Sequence, residues 1–150
     1  MQRLWKLRRM KALHLDPDFI FDVYIKEVRP ILELAAPVWH SSLTKAQSQA
    51  IERVQKVALS IILGEPHTNY ELACSIFCAE PLDSRRDGLC LQFAKKTSSK
   101  SRHTDLFLPS PHTVNTRQNI KQFSEHRCHN KRFYNSPLPY LTRLLNSVTN

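Results

Sequence analysis

The stretch that decides the fold is residues 44–64, TKAQSQAIERVQKVALSIILG. Thr44 and Gln47 have the spacing of a capping box, in which two side chains satisfy the first backbone N–H groups of a helix. Gly64 suits the left-handed conformation that ends many helices. Between these ends, apolar residues recur at the 3.6-residue spacing of one helical face: Ala50, Ile51, Val54, Val57, Ala58, Ile61 and Ile62. The stretch therefore predicts a long helix with one face in a core.

Two further helices are predicted before this one. Residues 1–15 indicate a basic amphipathic helix whose apolar stripe contains Leu4 and Leu7. Asp16 is predicted to cap the second helix, with Pro17 at its first position, where the missing N–H costs nothing. One face of the second helix is predicted to be buried: Phe19, Ile20, Val23, Tyr24, Lys26 and Pro30.

Prolines interrupt the helical pattern in the middle of the chain. Pro30 and Pro37 each remove an intrahelical hydrogen bond, which predicts kinks or two helices that meet near Arg29. After Gly64 a short helix is expected to begin at Thr68 or Asn69. Its predicted inner residues are Leu72, Ala73, Ile76 and Phe77, and those of the next helix, which begins near Asp83, are Leu82, Arg86, Leu89 and Phe93.

The fold class predicted from these patterns is all-α. The chain has only two glycines, too few for a sheet protein with many tight turns. We expect an irregular bundle of about four to six helices, which forms a domain over residues 1–97. Residues 98–132 are polar and basic without a period and are predicted to be a disordered linker. Residues 133–150 regain apolar residues and predict a short terminal helix.

Positive charge is concentrated in the second half of the sequence. Residues 1–80 carry ten Lys and Arg against nine Asp and Glu, whereas residues 81–150 carry twelve against four. Such a surplus attracts phosphate backbones or anionic membranes, although a basic tail that only maintains solubility is the alternative. The candidate phosphate contacts are the basic residues Arg3, Lys6, Arg8, Arg9 and Lys11 in the first helix, then Arg85, Arg86, Lys95, Lys96, Lys100 and Arg102.

No arrangement of residues predicts catalysis. The isolated glycines exclude a phosphate-binding loop. The acidic cluster Asp16, Asp18 and Asp22 lacks a partner carboxylate from a strand and is better explained by the helix dipole. A zinc site from Cys74, Cys78, His126, Cys128 and His129 is a weak possibility, because cysteines in an apolar helix usually pack as small hydrophobic residues. We therefore expect no metal, no cofactor and no small-molecule substrate.

Two further expectations concern the environment of the chain and its tryptophans. The longest apolar runs are far shorter than the ~20 residues of a membrane span, and the charged start is unlike a secretory signal. We expect no membrane partner, reduced thiols and an intracellular location, in nucleus or cytoplasm. Trp39 is predicted to be a core residue, while for Trp5 core packing and base stacking stay open.

Residues 29–64, RPILELAAPVWHSSLTKAQSQAIERVQKVALSIILG, resemble the segment after the polymerase palm in LINE-type non-LTR retrotransposon reverse transcriptases. That family's pattern has an Arg-Pro pair, a Leu-Glu-aromatic-Ala stretch, a Trp, a Leu-Thr pair and a helix reading IERVQKRALRIILG. Here Leu34 replaces the common tyrosine, and Val57 and Ser60 replace two common arginines. The resemblance covers residues 2–96 well and the last 18 residues loosely.

The resemblance implies a helical, thumb-like region that grips template–primer nucleic acid, RNA or DNA, beside a polymerase palm. The catalytic Tyr/Phe-Ala-Asp-Asp motif of the family is absent from the chain and is expected upstream of Met1. We therefore expect a non-catalytic fragment of an RNA-directed DNA polymerase. The alternative is a stand-alone helical protein-interaction module, or a decayed open reading frame without a selected role.

Overall fold

The computed structural model describes residues 2–64, 69–100, 104–109 and 122–148. These residues form helices and no strand, which confirms the all-α class. The α-helices are α1 (Gln2–Ala12), α2 (Pro17–Val23), α3 (Arg29–Glu33), α4 (Ala36–Trp39), α5 (Lys45–Leu63), α6 (Tyr70–Ile76), α7 (Leu82–Lys100), α8 (Lys131–Tyr134) and α9 (Pro137–Val148). No helix in these ranges has the length and apolar character needed to cross a bilayer.

The chain divides into two compact units. The first unit contains residues 1–34 and 44–85, and the second contains residues 35–43 and 86–150. Within the predicted linker, residues 101–103 and 110–121 lie outside the described residues, and α7 continues past residue 97 to Lys100. The domain boundaries predicted at residues 97 and 132 stay a prediction.

The core of the first unit joins α1, α2, α5 and α6. Leu4 and Leu7 are buried on the apolar side of α1, which confirms the amphipathic first helix. The predicted buried face of the second helix is confirmed at Ile20 and Tyr24 but wrong at Phe19, Lys26 and Pro30, which are exposed. Its buried residues are Ile20, Tyr24 and Val28, whereas Phe19 is 54% exposed.

The prolines break the helix where the sequence predicts. A π-helical turn, Tyr24–Val28, precedes α3, and the Arg29 N–H bonds to the Tyr24 carbonyl five residues earlier. Pro30 then lies in the first turn of α3, where no intrahelical donor is needed. The second break comes at Leu34, which is extended, and at Ala35, whose φ is 53°. Pro37 lies in the first turn of α4.

Helix α5 has the predicted ends, and its predicted apolar face is confirmed at Ala58 and Ile62 but not along its whole length. Thr44 and Gln47 form the reciprocal capping box, and Gly64 ends the helix with φ 81°. The buried residues are Gln55, Ala58, Leu59 and Ile62, whereas the predicted Ala50 is exposed and Ile51, Val54, Val57 and Ile61 are half-buried. The packed face is thus rotated by about one residue toward Gln55.

Helices α1 and α6 are each followed by a residue other than glycine in the left-handed conformation. At the end of α1, His14 has φ 58°, its N–H bonds to the Lys11 carbonyl, and the Leu15 N–H bonds to the Met10 carbonyl. Cys78 occupies the equivalent left-handed position after α6, with φ 48°. Both ends have the hydrogen bonds of a Schellman motif, which satisfies the last carbonyls of a helix.

Two predicted inner faces need correction. Asn69 begins α6 as its N-cap, one of the two predicted starts, but Leu72 and Ile76 are exposed. The buried residues of α6 are Ala73 and Cys74, because the helix packs through its small side chains. In α7 the predicted Phe93 is 47% exposed.

The second unit has its own small core. Cys90 and Ala94 of α7 pack with Phe107 and with Leu141 and Leu145 of α9. The amide side chain of Asn146 bonds to both backbone groups of Phe123, at 3.0 Å each. The predicted terminal helix is confirmed as α9, and its apolar face is buried within this unit.

A polar network lies inside the first unit. The Tyr24 hydroxyl donates to Gln55 Oε1 at 2.8 Å, and Gln55 Nε2 donates to the Tyr70 hydroxyl at 2.9 Å and to the Glu80 carbonyl at 3.1 Å. The Tyr70 hydroxyl in turn donates to Glu52. Burial raises the pKa of Tyr24 and of Tyr70 well above the usual value, so both donors stay protonated. The network links α5 to α2 and α6.

Replacing Gln55 by Ala tests this network. We expect Gln55→Ala to lower the free energy of unfolding by about 2–4 kcal/mol, because buried partners lose their hydrogen bonds. Urea unfolding followed by circular dichroism measures the change. The matched control is Gln49→Ala, an exposed position of the same helix, with an expected effect within about 0.5 kcal/mol. Equal losses in the two variants would contradict a special role of Gln55.

Candidate nucleic-acid interface

Helix α1 carries five of the eleven predicted phosphate contacts. Leu4 and Leu7 anchor the helix because they are buried. Four basic side chains of α1 are exposed: Arg3, Lys6, Arg8 and Arg9. The structure therefore brings together the N-terminal group of candidates, although they do not all have the same surroundings.

Arg3 and Lys6 both contact Glu27. The Lys6 ammonium lies 2.7 Å from Glu27 Oε2, and Arg3 Nη1 donates to the Glu27 backbone carbonyl at 2.8 Å. The Lys6 hydrogen bond lowers the pKa of the Glu27 carboxyl, so this carboxyl stays ionised and offsets part of the positive charge. Both side chains remain exposed, but a phosphate there would have to compete with Glu27.

Lys11 is bonded to the end of another helix. Its ammonium donates to the backbone carbonyl of Ile62 at 2.7 Å, in the last turn of α5. A cation at this end is favoured by the helix dipole and satisfies a carbonyl that lacks an intrahelical donor. A Cβ on Gly64 would lie 3.1 Å from Lys11 Cε, so Gly64 also leaves room for this side chain. Lys11 thus stabilises the fold of the first unit.

Arg8 and Arg9 are the least engaged of the α1 cations. Both are exposed, and neither side chain forms an ion pair or a hydrogen bond within the described part of the chain. Each guanidinium can therefore bind a phosphate oxygen pair without first losing an internal partner.

The two arginines of α7 have other roles than the one predicted. Arg85 donates to both oxygens of Glu33, at 2.5 and 3.2 Å, and Glu33 raises the pKa of Arg85 further. Arg86 is 0% exposed, so the prediction that it contacts phosphate needs correction. Buried guanidinium groups need internal hydrogen-bond acceptors, and one acceptor for Arg86 is the imidazole of His40.

Arg86 belongs to a polar cluster in the second unit. Its Nε–H donates to His40 Nδ1 at 3.2 Å, and its guanidinium lies 6.0 Å from the centre of the Trp39 ring. His40 Nε2 is 2.8 Å from Asp87, which also accepts from the Tyr140 hydroxyl at 2.5 Å. Both ring nitrogens of His40 are thus occupied, Nδ1 by Arg86 and Nε2 by Asp87. The cluster joins α7 to α9 and to the segment around His40.

The remaining candidates differ in exposure. Lys95 and Lys96 are exposed on α7, as the sequence predicts. The side chain of Lys100 and all of Arg102 lie outside the described residues. Trp5 is 62% exposed and stays available for stacking, whereas Trp39 is half-buried.

Sequence reasoning missed Arg53 of α5. This arginine is exposed and lines the same groove as Arg3 and Arg8. Residues 44–64 were interpreted through their apolar stripe, and Arg53 lies just outside it. A basic residue beside the apolar face of an amphipathic helix is the signal that identifies it.

Candidate metal ligands do not gather in the described ranges, where no three His, Cys, Asp or Glu side chains form a cluster. Cys78 lies past the end of α6, so it does not share a helical face with Cys74 as the spacing predicts. Of the acidic cluster, Asp22 pairs with Lys26 at 2.5 Å.

We found no significant match to this chain among protein-family models, curated proteins or solved structures. The resemblance of residues 2–96 to a reverse transcriptase segment therefore stays a prediction from the sequence.

The structural role of Lys11 is testable. We expect Lys11→Ala to lower the free energy of unfolding by about 1 kcal/mol, since α5 loses a charged hydrogen-bond donor at its end. Thermal and urea unfolding measure the change, with the exposed Lys56→Ala as the control on α5. If Lys11→Ala and Lys56→Ala unfold at the same urea concentration, the Lys11 bond to Ile62 does not stabilise the fold.

The thiols should react in a defined order with a chromogenic aromatic disulfide at pH 8. Cys78 is exposed and should react first, while Cys74 and Cys90 are buried. Burial raises the pKa of the Cys90 thiol to about 11 and also raises that of Cys74, so both lack thiolate as well as access. Cys78→Ser should remove the fast phase. A fast phase that persists in this variant would show that another thiol is accessible.

Proposed function

We propose that this chain is a non-catalytic part of an RNA-directed DNA polymerase of the LINE type and that its basic face contacts the phosphates of template–primer nucleic acid. The family assignment is supported by the resemblance of residues 2–96. The palm of the same polymerase is the protein partner that this resemblance implies.

The observation that carries the proposed contact is the pair Arg8 and Arg9. Both project from a helix anchored by buried Leu4 and Leu7, and no described acidic residue neutralises either of them. Anchored cations present a fixed spacing to a phosphate backbone, and their contacts set position without reading bases. The proposed interface is therefore independent of sequence.

Other cations extend the proposed interface with smaller contributions. Lys6 and Arg3 remain exposed beside Glu27, so their net charge is reduced. Lys95 and Lys96 are an exposed basic pair of the second unit, which we propose as a separate phosphate contact of that unit. Lys11, Arg85 and Arg86 are bonded internally and are not part of the proposed interface.

Salt-dependent binding to a labelled RNA–DNA hybrid tests the proposal. We expect affinity to fall steeply as salt rises, because phosphate contacts release counterions. The double variant Arg8→Ala with Arg9→Ala should reduce the slope of log K against log salt by about 2.

The control variant removes two positive charges at residues outside the proposed interface. Arg127→Ala with Arg132→Ala changes two exposed arginines of the second unit that are outside the proposed interface. This control should change the slope by less than about 0.5. Equal changes of slope in the two double variants would show that net charge alone attracts the hybrid and that Arg8 and Arg9 form no specific contact. Binding that does not depend on salt would refute the proposal.

A further inference from the structure

An open groove of about 710 Å³ lies in the first unit, between α1, α3 and α5. Its floor is apolar, and its rim carries three arginines. The floor residues are Leu4, Val28, Ile31, Leu32, Val54 and Val57. The rim arginines are Arg3, Arg8 and Arg53. None of the described lining residues is acidic, and none is aromatic.

The groove leaves apolar side chains exposed to water. Ile31 is 46% exposed, and Val54 and Val57 are only half-buried although they belong to the apolar stripe of α5. Scattered apolar residues are normal on a surface, but a concave apolar strip with a charged rim is typical of a binding groove. This strip therefore fits an apolar partner.

The dimensions of the groove favour a helix. Its α5 side extends from Ala50 to Val57, about 10 Å or two helical turns at the rise of an α-helix. A partner helix that places apolar residues at positions i, i+4 and i+7 covers the same length. The groove volume also falls within the range of about 300–1,000 Å³ that is usual for binding clefts.

The positive charge of the three rim arginines determines which kind of partner fits the groove. Guanidinium groups at the edge of a cleft favour carboxylates beside the apolar residues of the partner. Nucleic acid fits the floor poorly, because the floor offers neither donors for phosphate nor aromatic rings for bases. A second copy that met this groove with its own groove would bring arginines together.

We propose that this groove binds an amphipathic helix of an acidic protein partner, whose apolar residues lie on Ile31, Val54 and Val57 and whose carboxylates pair with Arg3, Arg8 and Arg53. The proposal does not depend on the nucleic-acid contact. Arg3 and Arg8 line the groove and also belong to the proposed nucleic-acid interface, whereas Arg9 does not line the groove, so the two surfaces share two residues.

Two labelled helical peptides test the proposal by fluorescence anisotropy on the full chain at physiological salt. Both have leucine at positions i, i+4 and i+7. One has flanking glutamates and the other has flanking lysines. We expect the acidic peptide to bind at least about tenfold more tightly. Equal binding of the two peptides, or binding to neither, would overturn the proposal.

Variants locate the binding. Ile31→Asp should weaken binding of the acidic peptide by more than about tenfold. Ala50→Glu places a second negative charge at an exposed edge of the groove and should weaken binding as well. Leu13→Asp makes the same kind of change at an exposed position outside the groove and should leave affinity within about twofold. Arg53→Ala should weaken binding about threefold to tenfold, with Lys56→Ala as its control on the same helix.

Folding of each variant is checked by circular dichroism, and Ala50→Glu keeps the test decisive if Ile31→Asp fails to fold. Full affinity in folded Ala50→Glu would overturn the proposal. Three other outcomes would also overturn it in favour of another occupant. The first is displacement of the peptide by an RNA–DNA hybrid, together with loss of hybrid binding in Ala50→Glu. The second is a dimer of the chain that Ala50→Glu dissociates. The third is binding to phosphatidylserine vesicles that Ala50→Glu abolishes.

Discussion

The side-chain amide of Gln55 is the constraint on which the packing of the first unit depends. A primary amide in a core must have its donors and acceptor satisfied, since each lost bond costs about 1–3 kcal/mol. Gln55 meets this requirement through Tyr24, Tyr70 and the Glu80 carbonyl, which come from three different parts of the chain. These directional bonds fix the rotation of α5, whereas apolar packing alone tolerates a slide or a turn of a helix. The apolar residues Ala58, Leu59 and Ile62 then face inward because the amide does.

This constraint explains which parts of the fold could be predicted from the sequence. Helix ends depend on residues close in the chain, so the capping box of Thr44, the role of Gly64 and the break at Pro30 followed from local patterns. Buried faces depend on distant partners. The apolar stripe of α5 centres on Val54 and Val57, and no periodicity reveals that tyrosines elsewhere will draw Gln55 into the core. In the second helix, the predicted face included Ile20 and Tyr24, which are buried, and Phe19, which is 54% exposed, because the spacing alone does not show where the partner helices end.

The candidate interface also depends on contacts between distant residues, which the sequence alone does not show. Composition treats every basic residue alike, yet their environments differ through contacts between residues 24 to 51 positions apart in the chain. Lys11 bonds to the end of α5, and Arg86 is buried beside His40, because packing brings a carbonyl or an imidazole within reach of these cations. Arg8 and Arg9 are exposed, and no acceptor among the described residues bonds to either side chain. Which cations can meet an external anion is therefore a property of the packed chain, and only their number is a property of the sequence.

Arg3 and Arg8 connect the two proposed surfaces, and this has a thermodynamic consequence. Both are exposed on α1 and also line the groove that we propose for an acidic helix. A carboxylate bound to Arg8 from the groove would neutralise one of the two cations that carry the phosphate contact. The two proposed partners therefore compete for these guanidinium groups, and each must weaken the other by the same factor, because coupling between binding sites is reciprocal. Arg9 and Arg53 lie on only one surface each, so the coupling is confined to the two shared side chains.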